Sequence, residues 1–258
     1  MKLPSLIAFI SLAACVQAGT ETAPTPPPVT TAPSSGDWWF RVAPYGWLTA
    51  IDGDVGVGPL SSPVDISMSD ILDSVDMTYM AIIEAGYGRW SLGLDVTYAK
   101  LSQDIAGGGF LFDSFRIEQK QWMLTPILAY RAVETDTYHM DVFAGTRTTI
   151  LDVELTGRFA HGGEATAGRD TDWTDPIVGI RGQAALSEKF FFRYYGDIGG
   201  FGVSSDLTWQ TFAGIGYKIS DNIGVAAGYR ALGIDYSKDG LSIDTLTHGP
   251  VIGLEVRF

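Results

Sequence analysis

Nine-residue stretches with an aromatic residue at each end recur along this chain, among them residues 79–87, 90–98, 122–130 and 209–217. Residues 90–98 read Trp-Ser-Leu-Gly-Leu-Asp-Val-Thr-Tyr. One parity gives Trp90, Leu92, Leu94, Val96 and Tyr98; the other gives Ser91, Gly93, Asp95 and Thr97. Period two belongs to a strand. The apolar face is capped by aromatics at both ends, and the opposite face is small and polar with a carboxylate at its centre. Eight steps at roughly 3.3 Å, tilted about 40°, climb on the order of 20 Å, close to the apolar band of a membrane barrel. The pairs Tyr79/Tyr87, Trp90/Tyr98, Trp122/Tyr130 and Trp209/Tyr217 then fall at the two membrane interfaces. A soluble sandwich also alternates, but it has no reason to repeat an aromatic pair at bilayer spacing.

Composition agrees. Past the leader, no stretch offers the ~18 uninterrupted apolar residues of a membrane helix, so spanning falls to strands. The 258 residues carry a net charge of −13, and no basic patch is available for a nucleic-acid partner. Turn signals are spread evenly, which predicts a single strand-rich domain over residues 37–258.

Residues 1–18 read as a secretory signal, with Lys2 ahead of an apolar run. Val16-Gln17-Ala18 offers a cleavage site after Ala18, whereas Leu12-Ala13-Ala14-Cys15 resembles a lipoprotein box with cleavage before a lipidated Cys15. Both imply export. Residues 19–36 form a Pro/Thr/Ser-rich linker that cannot build a core.

The first strand starts at Trp38, with Arg41, Tyr45 and Trp47 on one face and Phe40, Val42, Pro44 and Leu48 on the other. A long loop is expected over residues 52–76. Asp52-Gly53-Asp54 opens like a calcium loop, but position twelve is Pro63 where a Glu is required, so an acidic turn without metal is expected. Residues 69–75 read as a short helix capped by Ser67 or Ser69, with an apolar face of Ile71, Leu72 and Val75. Further strands are expected near residues 77–87, 90–105, 115–131, 138–155, 173–186, 190–201, 206–219, 223–236 and 244–258. The loop over residues 158–172 reads as long and polar. Glycines 107–109 lack the Lys-Ser/Thr of a phosphate loop.

The sum is an all-β chain, a transmembrane antiparallel up-and-down barrel of about ten strands, eight being the alternative, with a short helix in the first outer loop. Closure is required because an open sheet edge in lipid leaves backbone groups unpaired.

The chain ends Pro-Val-Ile-Gly-Leu-Glu-Val-Arg-Phe, with Ile252, Leu254, Val256 and Phe258 in phase. This resembles the C-terminal signal of Gram-negative outer-membrane barrels, read by the barrel-assembly machinery. Pro44-Tyr-Gly-Trp47, Ser69-Asp-Ile-Leu-Asp73 and Tyr195-Gly-Asp-Ile-Gly-Gly-Phe201 resemble a family of small outer-membrane β-barrel proteins akin to the outer-membrane protein A, W and X types. The resemblance covers residues 38–258. It implies the bacterial outer membrane, its lipid and the assembly machinery as surroundings, and carries no catalytic motif.

The parity facing away from lipid holds Arg41, Glu84, Asp95, Arg131, Asp141, Arg147, Asp175, Arg181, Arg193, Asp197, Lys218, Arg230, Glu255 and Arg257. Both signs occur in similar number, so mutual pairing is expected, because an unpaired charge there is costly. A charge-lined permeation path is the alternative. Ten strands are only modestly wider than the eight that side chains fill, which favours a narrow or plugged lumen over porin-like conduction.

No cofactor motif, zinc-ligand spacing or serine-nucleophile motif appears. A catalytic rim would need His139, His161 or His248 beside acids such as Asp170, Asp172, Asp235, Asp239 or Asp244, and non-enzymatic function is the expectation. Two functional classes follow. One is a monomeric structural or small-solute-conducting barrel; the other binds or acts at the surface through its outer loops.

The face assignment is testable. Leu94→Arg should impair folding into lipid by about 2–4 kcal/mol more than Thr97→Arg, the cost of an arginine at the midplane of the lipid face. Urea titration of both variants in liposomes measures the difference, and equal losses would reject the assignment.

Overall fold

The computed structural model describes residues 38–57, 60–106, 112–159, 163–238 and 240–258. The leader, the linker, Cys15, glycines 107–109, His161 and Asp239 lie outside the described residues. Twelve strands and one helix follow in order. They are β1 (Trp38–Trp47), β2 (Ala50–Val57), β3 (Leu60–Ile66), α1 (Met68–Ser74), β4 (Val75–Tyr87), β5 (Trp90–Ala106) and β6 (Phe112–Glu134). After these come β7 (Tyr138–Phe159), β8 (Glu164–Ala185), β9 (Phe190–Gly200), β10 (Leu207–Lys218), β11 (Ile223–Lys238) and β12 (Leu241–Arg257).

Ten of these strands, β1 and β4 to β12, close into an antiparallel barrel, each pairing with the next and β1 pairing with both β4 and β12. The eight-strand alternative is excluded. Trp38 and Phe258 lie at the end where the turns are short, with the β4–β5 turn made by Gly88 at φ +56° and Arg89. Glycine is suited to that left-handed position because it has no Cβ.

Register gathers the outward aromatics into two rows. Trp38 stands opposite Tyr87, Tyr87 opposite Trp90, and Trp90 opposite Tyr130. Eight residues up, Tyr79 faces Tyr98, which faces Trp122. Ring centroids are 5.3 Å apart for Trp38/Tyr87, 4.9 Å for Trp90/Tyr130 and 4.5 Å for Tyr98/Trp122. Cross-strand aromatic contacts of this kind add stability beyond buried area. Between the rows the outer wall presents Ile83, Leu92 and Leu128, all exposed.

The fourth expected pair, Trp209/Tyr217, stands on β10 among other neighbours. Tyr217 is partly buried, as Tyr98 and Tyr130 are, whereas Tyr87 and Trp90 are exposed. Its register partner Phe190 lies against it with centroids 5.1 Å apart, and the Lys189 ammonium stands 5.9 Å from its ring. The cause is the short β8–β9 turn, which brings Lys189 and Phe190 up to the end of β10. Phe190, itself exposed, is therefore the outermost ring there. Trp209 is likewise only partly exposed, its ring folded over Gly233 on β11.

Two expected loops are strands. Residues 52–76 hold the β2–β3 hairpin and α1, and Asp52 and Asp54 lie in β2, paired with β12, so they do not form a turn. Here the wall forks. β12 pairs with β1 over residues 251–257 and with β2 over residues 241–248, while β4 stays with β5. The described residues of 158–172 include the tops of β7, to Phe159, and of β8, from Glu164, in continuous register from Tyr138↔Ala184 to Arg158↔Glu164. Their polarity arises because both faces of this stretch stand in water, so the alternation that marks a half-buried strand is missing.

Helix α1 starts with a capping box. Ser67 accepts from the Asp70 amide, and the Asp70 carboxylate accepts from the Ser67 amide at 3.2 Å. Of the expected apolar face, Ile71 is buried at 8% exposure, but Leu72 is 54% exposed and Val75 caps the helix. The helix rests beside β2 and β5 at the fork. The lumen is filled from the wall. Close packing inside uses glycine at facing positions: a Cβ at Gly86 would overlap the Trp39 ring.

The fork also aligns acids. Asp54, Asp244 and Asp235 stand directly opposite one another on β2, β12 and β11, beyond the level of Trp209, which faces Gly233. Like charges directly opposite are destabilising. Partial desolvation, then the carboxylates of Asp244 and Asp206, raise the Asp235 acid above its ordinary range. A raised carboxyl contributes stability that is present below its unfolded value and lost as pH rises through its folded one. Asp244→Asn should therefore raise the thermal unfolding midpoint at pH 7, and the gain should shrink toward pH 3. A gain equal at both pH values, measured by circular dichroism in detergent, would reject charge repulsion as the cause.

Candidate functional site

The interior has two layers. Toward the short-turn end, guanidiniums and carboxylates interlock. Arg41 donates to Glu84 through Nε and Nη2 (3.0 and 2.6 Å) and to Glu255 through Nη1 (3.0 Å). Arg181 bridges Glu84, Ser91 and Asp141. Arg131 donates to Asp141 at 2.8 Å and to Glu134 at 3.3 Å. Glu255 also accepts from Arg193 at 2.7 Å and Arg257 at 2.9 Å.

Midway up, a second group forms around Gln210. Arg147 donates to Asp197 at 2.7 Å and to Thr208 at 2.8 Å. Arg230 donates to Gln210 at 2.6 Å and Tyr45 at 2.8 Å, and pairs with Asp95 at 3.2 Å. Tyr45 donates to Asp95 at 2.7 Å, and Tyr195 to Asp197 at 2.6 Å. In a low-dielectric interior each charge needs such partners, because an isolated ion is penalised heavily.

Of the fourteen residues assigned to the interior by parity, twelve enter these two groups. Asp175 does not pair with an arginine: it accepts from the Ser205 amide (2.7 Å) and hydroxyl (2.6 Å), fastening the β9–β10 turn to β8. Lys218 ends the inner row of β10 at the short-turn end. Sequence parity finds the charges but passes over the neutral members Gln210, Thr208 and Tyr195. The one signal for them is their place in phase with Asp197 and Arg230.

The second layer has no counterpart in the sequence reading. Above Arg230 the interior is apolar: Trp47, Met123, Trp173, Leu232, Ile234, Tyr236 and Leu241 form one buried cluster, with Met80, Leu151 and Ile243 packed against it. Trp173 and Tyr236 stack with centroids 4.6 Å apart, and the Arg230 guanidinium lies 4.5 Å from the Trp47 ring centroid. The cluster draws on β1, β6, β8, β11 and β12, so it reaches around the barrel. Below it a cavity of about 470 Å³ is lined by the charge layer and extends to Asn222 and Phe258 at the short-turn end.

The histidines divide. His139 lines that cavity. His248 faces outward, its Nε2 2.8 Å from Asp52 and its Nδ1 bonded to the Tyr229 hydroxyl. Asp170 and Asp172 lie in β8, and Asp235 and Asp244 in the acidic row. Among the described residues no group of three or more His, Cys, Asp and Glu is placed to hold a metal.

No protein-family model matches the sequence, and no curated protein matches it. Among solved structures, the outer membrane protease OmpT from Escherichia coli is similar at a TM-score of 0.53 and 13% identity, over 89% of this chain and 100% of that one. The fold is that of an outer-membrane barrel. The translocator domain of autotransporter NalP from Neisseria meningitidis is similar at 0.44 and 11% identity, over 87% and 90% of the two chains. Ail, the attachment invasion locus protein of Yersinia pestis, gives 0.37 and 10%, over 87% and 99%. Identities this low speak for the fold and not for chemistry.

The buried pair Arg147/Asp197 gives the sharpest test of the interior, since both side chains are at most 1% exposed. Arg147→Met should destabilise the barrel by roughly 3–5 kcal/mol, because it strands the Asp197 carboxylate. Arg147→Met combined with Asp197→Leu should lose less than the single change. Urea unfolding of both in liposomes checks the order, and a double variant weaker than the single would refute stranding as the cause.

Proposed function

We propose that the protein is an integral bacterial outer-membrane barrel, with its short turns in the periplasm and its interior shut, serving as a structural element or a narrow small-solute channel that opens only on rearrangement. The observation that carries this is the apolar cluster stacked on the charge layer. An open channel needs a continuous polar path, and Trp47, Trp173, Tyr236 and Leu232 occupy the cross-section where that path would run. The two aromatic rows support the membrane placement. Lipid is then the solvent of the outer wall, the barrel-assembly machinery reads the end at Phe258, and one copy suffices because the barrel closes on itself.

A second reading has one observation in its favour. Strands β5 to β8 rise well past the outer aromatic row, with β6 to β8 running 22 or 23 residues. Such a wall outside the membrane offers a surface for binding at the cell exterior.

In a planar bilayer the intact protein should show little or no steady conductance. Replacing residues 68–74 by a Gly-Ser loop should leave it closed, because the obstruction belongs to the wall and not to α1. Trp47→Gly with Trp173→Gly should introduce conductance steps. A large stable conductance in the intact protein would reject the shut interior and favour the pore.

A further inference from the structure

The cavity under the apolar cluster has a chemistry of its own. It is a blind pocket of about 470 Å³, within the size range of small-molecule sites. Its floor opens between Asn222, Phe258 and His139; its ceiling is Tyr45, Gln210 and Arg230, with Trp47 above. Cations outnumber their local partners. Arg41, Arg193 and Arg257 converge on the single carboxylate of Glu255, and Arg41 and Arg181 divide Glu84 between them. Five guanidiniums thus meet four carboxylates, with Asp141 divided between Arg181 and Arg131, and Arg131 also reaching Glu134. Asp221 stands at the mouth on the β10–β11 turn.

Two of these arginines keep donors to spare. Arg257 engages Glu255 through Nε, and among the described residues its Nη groups bond nothing. Arg193 gives Nη1 to Glu255 and Nη2 to Gln183, and its guanidinium lies 5.0 Å from the Phe191 ring centroid. At the ceiling, Arg230 is 5% exposed, and its Nε has no partner among the described residues. The rest of the lining is aromatic and aliphatic: Trp39 lies over Gly86, and Ile127 and Phe212 complete the wall. A planar guanidinium with free paired donors matches a carboxylate, sulfonate or phosphate fork, and flat apolar walls match a ring.

We infer that this pocket is a binding site for a small organic anion with an aromatic or otherwise apolar body, the anionic head at Arg257 and Arg193 and the body against Trp39 and Phe212. Glu255 competes with the ligand for the same two guanidiniums. This sets the site apart from a purely structural ion-pair cluster, in which Glu255 only helps. The site is independent of whether the lumen conducts, since it needs only the cavity and its arginines.

The test uses the full-length protein refolded in detergent, with 2-naphthoate as probe and uncharged 2-naphthamide as control, followed by calorimetry. Saturable binding of one naphthoate per chain is expected, at least tenfold tighter than the amide. Arg257→Gln and Arg193→Gln should each weaken it severalfold, with folding checked by gel mobility before and after boiling. Glu255→Gln should bind naphthoate more tightly than the parent. Absence of saturable binding, equal binding of the amide, or weaker binding by a folded Glu255→Gln variant would overturn the proposal. If Glu255→Gln fails to fold, the amide comparison and the two arginine variants still decide it.

Discussion

Backbone pairing within the closed wall is the constraint on which everything else in this molecule rests. Between the two aromatic rows no water is at hand to satisfy an amide or carbonyl, so each strand needs a neighbour on both sides. The β1–β12 ladder, from Arg41↔Arg257 to Trp47↔Val251, supplies the last one. Once closure is imposed, alternation has only one outcome: each strand sends one parity to lipid and the other inward. Ten strands leave a lumen too wide for the wall backbone to fill and narrow enough for long side chains to meet across it. Arg181 on β8 reaching Glu84 on β4, and Arg230 on β11 pairing with Asp95 on β5, are the direct result.

What fills that lumen differs by level because the costs differ. Charged side chains inside a barrel are tolerated where every charge finds a counter-ion and further hydrogen bonds, and the short-turn half meets that demand with shared carboxylates. Shared carboxylates also couple the pairs, since removal of Glu84 would take one of two partners from both Arg41 and Arg181. In the other half Met123, Leu232 and Ile234 need no partners, and packing replaces pairing, while the buried Trp47 indole N–H goes without a hydrogen bond among the described residues. Arg230 joins the layers, bonding Gln210, Tyr45 and Asp95 below and lying against the Trp47 ring above.

Much of this is legible in the sequence, for a physical reason: period two survives wherever one face meets lipid and the other does not. Residues 79–87 and 90–98 show it at once, and their register as neighbours follows from the two-residue turn at Gly88-Arg89. It fails where both faces meet the same medium. Residues 164–172 look like part of a loop because they are strand in water on both sides, and the β2–β3 hairpin hides behind Gly and Asp for the same cause. Parity also gives a face without a height or a neighbour. It puts Tyr217 on the outer wall but is silent about Phe190, which the β8–β9 turn lays across it. It places Asp175 inside with the arginines but cannot show that Ser205 reaches it first, because height depends on the stagger between β8 and β9. The apolar layer escapes for a related reason: Trp47 and Leu232 read as ordinary strand residues until closure brings them to one level.

The same reasoning bears on a place where the wall runs out. Above Ile177, which faces Gly199, β8 loses β9 and keeps only β7 as a neighbour. An edge that opened at membrane level would leave unpaired groups in lipid, and the β9–β10 turn closes it with side chains. Ser204 donates to the Thr174 carbonyl at 2.9 Å, Ser205 bonds Asp175 through amide and hydroxyl, and Lys238 ties the turn to β11 through the Val203 carbonyl at 2.6 Å. To reach these partners the chain takes a left-handed bend through Gly200, Phe201 and Gly202, Phe201 being the one non-glycine at positive φ among the described residues. Higher up, where water can satisfy the backbone, the edge is left open and carries Arg169, Asp170 and Asp172, charges of the kind that discourage a second strand from adding. The boundary between sealed and open edge thus follows the boundary between lipid and water, which is where closure ceases to be compulsory.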